Sequence, residues 1–270
     1  MTPIVPPQQD ALTQQLRELP AFRALLRSIE CRLFAEAGAL AQPLLDVGCG
    51  DGHFAGLTYS PAPTVGIDGN AGRLGEARRR HSHQYLAAAN AQALPLDNAS
   101  MASVVANCVL EHIPPLDNAL AEIYRVLQPG GRFVFGVPSH LFADMLLGSS
   151  VLRTVGLARL AKVYGAWFNR HSEHYHTDSP EQWLGRLQQH GFKVEHWEYY
   201  MSAAGLRAFD LAHYLGLPRL LSYKLTGRWV LRPIPVINRL YERWLRPHYE
   251  APAPEMGAYI FFHARKPDAS

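Results

Sequence analysis

Cysteine is scarce. The 270-residue chain holds three, Cys31, Cys49 and Cys108, an odd number too small for a disulfide framework, so a reducing, cytoplasmic setting is expected. Long apolar runs are missing too. No 18-residue window is both strongly apolar and free of charge, which argues against a membrane-spanning helix. The opening MTPIVPPQQD has no basic stretch leading into an apolar run, so no signal peptide is expected. Charged residues make up only 18% against 48% apolar, the balance of a globular chain and not of a disordered one. There is no internal repeat. The dinucleotide fingerprint G-x-G-x-x-G is absent because His53 stands where its third glycine belongs, and no lysine follows to make the phosphate-gripping G-x-x-x-x-G-K-[ST].

Charge is unevenly spread. Residues 1–150 carry 10 Lys/Arg and 13 Asp/Glu, whereas residues 151–250 carry 14 and 8. The first half is not built for a polyanion. The second half suits something negative or a membrane surface.

Residues 1–9 are Pro/Gln-rich and read as a loose arm. Leucines and isoleucines three or four apart predict helix over 10–37, interrupted at Pro20 and stopped at Gly38. Short apolar strands then alternate with helices. Strands are expected at 43–47, 64–68, 84–88, 103–107 and 132–137, with helices at 53–58, 71–81 and 116–127, the last ending at Gln-Pro-Gly-Gly131. Such alternation predicts an α/β fold with a mostly parallel sheet and helices on both faces. Residues 139–178 match no clean pattern. Ser179-Pro-Glu-Gln182 is a capping box opening a helix to His190, Gly191 ends it, and strands follow at 193–199 and 257–265. The expected organisation is an N-terminal helical cap (1–39), a core (40–200) with an insertion at 139–178, an apolar and basic helical insertion or lid (201–256), and a last core strand with a tail (257–270).

The strongest signal is Leu44-Leu-Asp-Val-Gly-Cys-Gly-Asp-Gly52. It is a buried strand running into alternate glycines, which let a ligand lie against bare backbone. A helix N-terminus just beyond offers N–H groups to a carboxylate. Asp68 ends the next strand, where a carboxylate can accept from two ribose hydroxyls.

Here the sequence resembles the class I S-adenosylmethionine-dependent methyltransferases of small-molecule type. The resemblance rests on LLDVGCGDG (44–52), GIDGN (66–70), NAQALPL (90–96), ANCVLEHIP (106–114) and IYRVLQPGGRFVFGVP (123–138), in that order. It implies a Rossmann-like, doubly wound, seven-stranded sheet, with S-adenosylmethionine as cofactor and S-adenosylhomocysteine as product. By position, Gly48, Cys49, Gly50 and Gly52 would lie under the methionine part, with Asp46 orienting the loop. Asp68 and Gly69 would meet the ribose, Asn90 and Ala91 the adenine, and Asn107 the methionine amino group or sulfonium. The family usually has Asp at position 90; an amide oxygen there still accepts from the adenine amino group, without charge assistance.

Methyl transfer to oxygen or carbon benefits from a base, and histidine suits neutral pH. His112, His140, His174 and His176 are the candidate bases or pocket residues, each with a bland packing or loop role as the alternative. His174 and His176 with Glu173 and Asp178 have some ligand character, but no second set has recognisable spacing, so no metal is expected. Residues 207–246 hold 8 Lys/Arg and 2 acids among Leu, Trp and Tyr. That mixture fits a lid over a hydrophobic or lipid-linked acceptor, or peripheral membrane contact through 203–250; a packed subdomain or homodimer interface is the plain alternative. The expected partner is a small-molecule acceptor, methylated on O or C, and the chain a monomer or homodimer. A non-catalytic binding protein is disfavoured because the glycines and ribose acid are present. A nucleic-acid methyltransferase is disfavoured because NCVLEHIPPLD lacks the [DNS]-P-P-[YFW] motif after the fourth strand.

Overall fold

The computed structural model describes residues 10–268 except 228 and 231, and for 217–221 the backbone alone; the arm at 1–9 lies outside these residues. The amino-terminal segment is two helices, α1 (Ala11–Glu18) and α2 (Ala21–Glu36). Asp10 caps α1 by accepting from the Leu12 amide, Pro20 separates the pair, and Gly38 ends the run at φ +79°.

The core alternates as its sequence pattern demands. It runs β1 (Leu44–Val47), α3 (His53–Thr58), β2 (Val65–Asp68), α4 (Ala71–Arg79), β3 (Tyr85–Ala88), β4 (Met101–Asn107), α5 (Leu116–Val126) and β5 (Leu127–Pro138). Helices α6 (Phe142–Met145), α7 (Leu147–Thr154) and α8 (Ala158–His171) fill the stretch that sequence left without a pattern. The capped helix α9 (Pro180–Gln189) carries the expected Ser179–Gln182 capping box and leads to β6 (Lys193–Tyr200). Helices α10 (Ala203–Leu215), α11 (Leu217–Thr226) and α12 (Pro235–Tyr249) precede β7 (Tyr259–Arg265).

The seven strands order as β3-β2-β1-β4-β5-β7-β6. All pairs are parallel except those of β7, which runs antiparallel to β5 and β6. This is the expected mostly parallel, doubly wound sheet. One boundary moves. β5 begins at Leu127, not Arg132, because Gln128–Gly131 bulges out between the pairs Met101–Leu127 and Ser103–Arg132. Proline and glycine mark an interruption within the strand there, not its start.

Side-chain alternation splits the core in two. Leu44, Val105 and Val134 face a cluster with Leu12, Leu16, Leu25, Ile29, Leu206, Phe209 and Leu245. Leu45, Val47, Val104, Ala106, Phe133 and Phe135 face the other, with Leu120, Ile123, Trp183 and Leu187. The amino-terminal helices and the 201–256 insertion therefore share one layer on one face of the sheet. Phe22 meets Phe209 edge-on at 5.5 Å, and Arg32 donates to the Ala251 carbonyl at 3.1 Å.

Candidate active site

The carboxyl ends of β1, β2 and β4 open into a cavity of about 990 Å³. It sits where β1 has one chain neighbour on each side, the switch point at which open α/β sheets bind ligands. The loop after β1 forms one wall. Gly48, Gly50 and Gly52 all take positive φ, +73°, +57° and +72°, but for different reasons. A Cβ at Gly48 would stand 2.4 Å from a Val109 methyl, and one at Gly52 2.1 Å from Ser82 Oγ. At Gly50 it would meet nothing within 4 Å. Gly48, Cys49 and Gly50 line the cavity; Gly52 does not. The third glycine is thus packed on Ser82.

Two aspartates hold this loop. Asp68, at the tip of β2, accepts from the Gly50 amide at 2.9 Å and the Asn70 amide at 2.8 Å. Each carboxylate oxygen keeps a further lone pair for the cavity. Asp46 lies 3.0 Å from His83 Nε2, and His83 Nδ1 lies 2.9 Å from Ser82 Oγ. Cys49 is buried, which pushes its thiol up and keeps it protonated.

Gly69, Asn90 and Ala91 line the wall beyond β2 and β3. The Asn90 amide oxygen accepts from the Gln92 amide at 3.0 Å, so one of its lone pairs stabilises its own turn. Asn107 lines the cavity at the tip of β4 and donates through Nδ2 to Glu30 at 2.8 Å, while its buried Oδ1 has no partner among the described residues.

Glu30 was invisible to sequence reasoning. Fully buried on α2, it accepts from Arg27 at 2.6 Å, Asn107, Cys108 Sγ at 3.0 Å and the Tyr200 hydroxyl at 3.3 Å. Burial lifts Cys108 and Tyr200 well above their ordinary range, so both stay protonated donors. This knot ties the first layer of helices to the β4 tip, where Cys108 takes φ +52°. The one sequence signal was that Arg27 and Glu30 sit among Leu26, Ile29 and Leu33, on the face that should be apolar. Arg23, Arg73, Tyr223 and Trp229 also line the cavity and were not singled out.

Of the four histidines, only His112 lines the cavity. Its Nδ1 donates to the Glu173 carbonyl at 3.0 Å, which leaves Nε2 as an acceptor; burial lowers its pKa, so the ring is neutral at pH 7. His174 packs 5.6 Å from His112, and burial followed by that neighbour brings it down to about 4. His176 Nε2 is tied to the Ile113 and Pro114 carbonyls, and His140 is exposed. Among the described residues no group of three or more His, Cys, Asp or Glu is placed to hold a metal. Nor is any described helix long and apolar enough to cross a membrane.

Residues 45–135, from β1 to β5, match a family model described as a methyltransferase domain. Over that stretch the chain is similar to methyltransferase domains. Relatives of that domain include a malonyl-[acyl-carrier protein] O-methyltransferase of Methylococcus capsulatus, 33% identical over 156 residues, covering 53% of this chain and 50% of the relative. A fatty-acid O-methyltransferase of Mycolicibacterium smegmatis is 35% identical over 107 residues, 37% of this chain and 39% of that protein. The chain thus spans about half the length, or less, of these curated relatives. Among solved structures, geranyl diphosphate C-methyltransferase from Streptomyces coelicolor matches at TM-score 0.55 with 14% identity, covering 98% of this chain and 90% of its own. At that identity the methyltransferase likeness is one of fold.

Proposed function

We propose that the protein transfers a methyl group from S-adenosylmethionine to an oxygen or carbon atom of a small, amphiphilic acceptor. One observation carries this reading: Asp68 clamps the Gly50 amide beside a stretch of bare backbone that faces open cavity. A nucleoside with an amino-acid tail fits such a wall. Asp68 would take the ribose hydroxyls, the main chain at Gly48–Gly50 the methionine part, and Asn90 and Ala91 the adenine. Asn107, at the β4 tip, would meet the amino group through its backbone carbonyl. When bound, the cofactor supplies a methyl group already activated on sulfonium.

The chain then has to align the acceptor and keep water out. His112 is the candidate base, since Glu173 fixes its tautomer and its bare nitrogen is available to a proton from the acceptor. The acceptor class follows from the mouth of the cavity. Tyr223 and Trp229 line it and stack on each other at 4.4 Å. Further along the chain, Leu225, Ile234, Val236 and Leu240 are exposed, at 75%, 53%, 65% and 65%. Lys224, Arg232, Arg239 and Arg243 are interspersed among them. Exposed apolar and basic side chains interleaved along this segment suit peripheral contact with an anionic membrane and delivery of a lipid-like acceptor.

The test is to supply the protein with methyl-labelled S-adenosylmethionine and separated lipid, water-soluble and nucleic-acid fractions of a cell extract. Label is expected in the lipid fraction. Label in nucleic acid alone, or in none, contradicts the reading.

A further inference from the structure

We propose that Arg23 and Arg27, successive turns of α2, form a subsite for an anionic headgroup, carboxylate or phosphate, carried by the acceptor. The inference rests on the reading just given and names its substrate class more narrowly. Four residues of helix put the two residues about one turn, ~6 Å, apart along one face at the backbone, and both line the cavity. Arg27 is held at one end by Glu30 at 2.6 Å. Glu30 also binds Asn107 and Cys108, so Arg27 is fixed beside the β4 tip.

Arg23 is different. It has no carboxylate within ion-pair distance and no hydrogen-bond acceptor among the described residues. Its guanidinium lies 5.4 Å from the centre of the Trp229 ring. Burial, with Arg27 and Arg73 close by, lowers its pKa, and only Asp51 and Tyr223 act the other way. Three of the carboxylates that line the cavity hold other groups. Asp46 faces His83, Asp68 holds two amides, and Asp51 accepts from the His53 amide at 3.1 Å.

A guanidinium that lines the cavity without an acceptor has its planar fork free for a carboxylate or phosphate. The Tyr223–Trp229 stack provides an apolar cover beside it. An acidic head on Arg23 and Arg27 with its apolar tail against that stack satisfies both features at once.

The experiment uses the full chain saturated with S-adenosylhomocysteine and titrated with octanoate, octyl phosphate and octanol. At least one anionic compound is expected to bind about tenfold or more tightly than octanol. Which of the two is tighter identifies the headgroup. Arg23→Gln is expected to erase the preference and Arg23→Lys to keep part of it, with S-adenosylhomocysteine affinity unchanged in both. No preference for the anions in the wild-type protein, or no binding of any octyl compound, overturns the proposal while bound S-adenosylhomocysteine leaves the cofactor reading standing. A second result also overturns it: Arg23→Gln weakens S-adenosylhomocysteine but not 5′-methylthioadenosine, which lacks the carboxylate. The arginine would then serve the cofactor and not the acceptor.

Discussion

His83 Nε2 stands 3.0 Å from the Asp46 carboxylate, beneath the glycine loop, with the imidazole fully buried. The ring is wedged against Gly66, where a Cβ would come within 2.7 Å of it. Its other nitrogen faces Ser82, the residue against which Gly52 packs. One side chain on the approach to β3 thereby fixes the end of β1 and the far end of its loop. His83→Phe leaves Asp46 buried without that partner, at a cost of about 1–3 kcal/mol. Urea unfolding should show this loss, and S-adenosylhomocysteine should bind more weakly. His83→Gln, which keeps a donor, should lose less of both.

Two glycines two residues apart should respond differently to alanine. At Gly52 the added methyl collides with Ser82 and the Ala77 backbone, so Gly52→Ala should lower thermal stability by roughly 1–3 kcal/mol. At Gly50 there is room, so only the left-handed backbone penalty of about 1–2 kcal/mol remains. The methyl then projects into the cavity, and the loss of S-adenosylhomocysteine affinity should exceed that of Gly52→Ala. Differential scanning fluorimetry with and without ligand separates the two effects.

Much of this was readable in the sequence. β1, β2 and β4 are buried parallel strands, so they appear as short apolar runs, and the glycines after β1 and Asp68 after β2 mark the cavity directly. The helices of 139–178 were obscure because their apolar faces are partly exposed, Val155 and Val163 among them, which blurs the period. The Glu30 knot was illegible for another reason. Its partners lie 77, 78 and 170 residues away, and nothing local in a helix announces a long-range hydrogen bond. The β5 bulge misled because Pro-Gly-Gly is also how helices and strands end.

Glu111 sets a pH dependence. Burial lifts its carboxyl to about 8, and one of its oxygens has no partner among the described residues. In the unfolded chain it titrates near about 4.3. Its contribution to stability is therefore fully present below about 4.3 and declines as pH rises toward 8, by at most ~1.4 kcal/mol per pH unit. Glu18 works in the opposite sense. The approach of His53 Nε2 at 3.4 Å leads the effects that hold it at about 2, so its contribution is present above about 4.3 and is lost as pH falls toward 2. Glu111→Gln should flatten the decline between pH 5 and pH 8, seen as a smaller drop in Tm across that range than in the wild-type protein.

The exposed apolar and basic segment makes a prediction at membranes. Val236→Asp with Leu240→Asp places two charges on the outer face of α12, where both side chains are exposed, so the fold should be unaffected. Co-sedimentation with vesicles containing anionic lipid should fall several-fold, and wild-type binding should weaken with added salt. Equal sedimentation by wild type and double variant would place any membrane contact elsewhere.

The central claim concerns the ribose acid and the glycine wall, and calorimetric titration with S-adenosylhomocysteine tests it most directly. The wild-type chain should bind one equivalent, and Asp68→Ala should weaken binding by about 1.5–3 kcal/mol, roughly 10- to 150-fold, through lost charge-assisted hydrogen bonds. No binding by the wild-type protein, or an affinity unchanged in Asp68→Ala, would contradict the account.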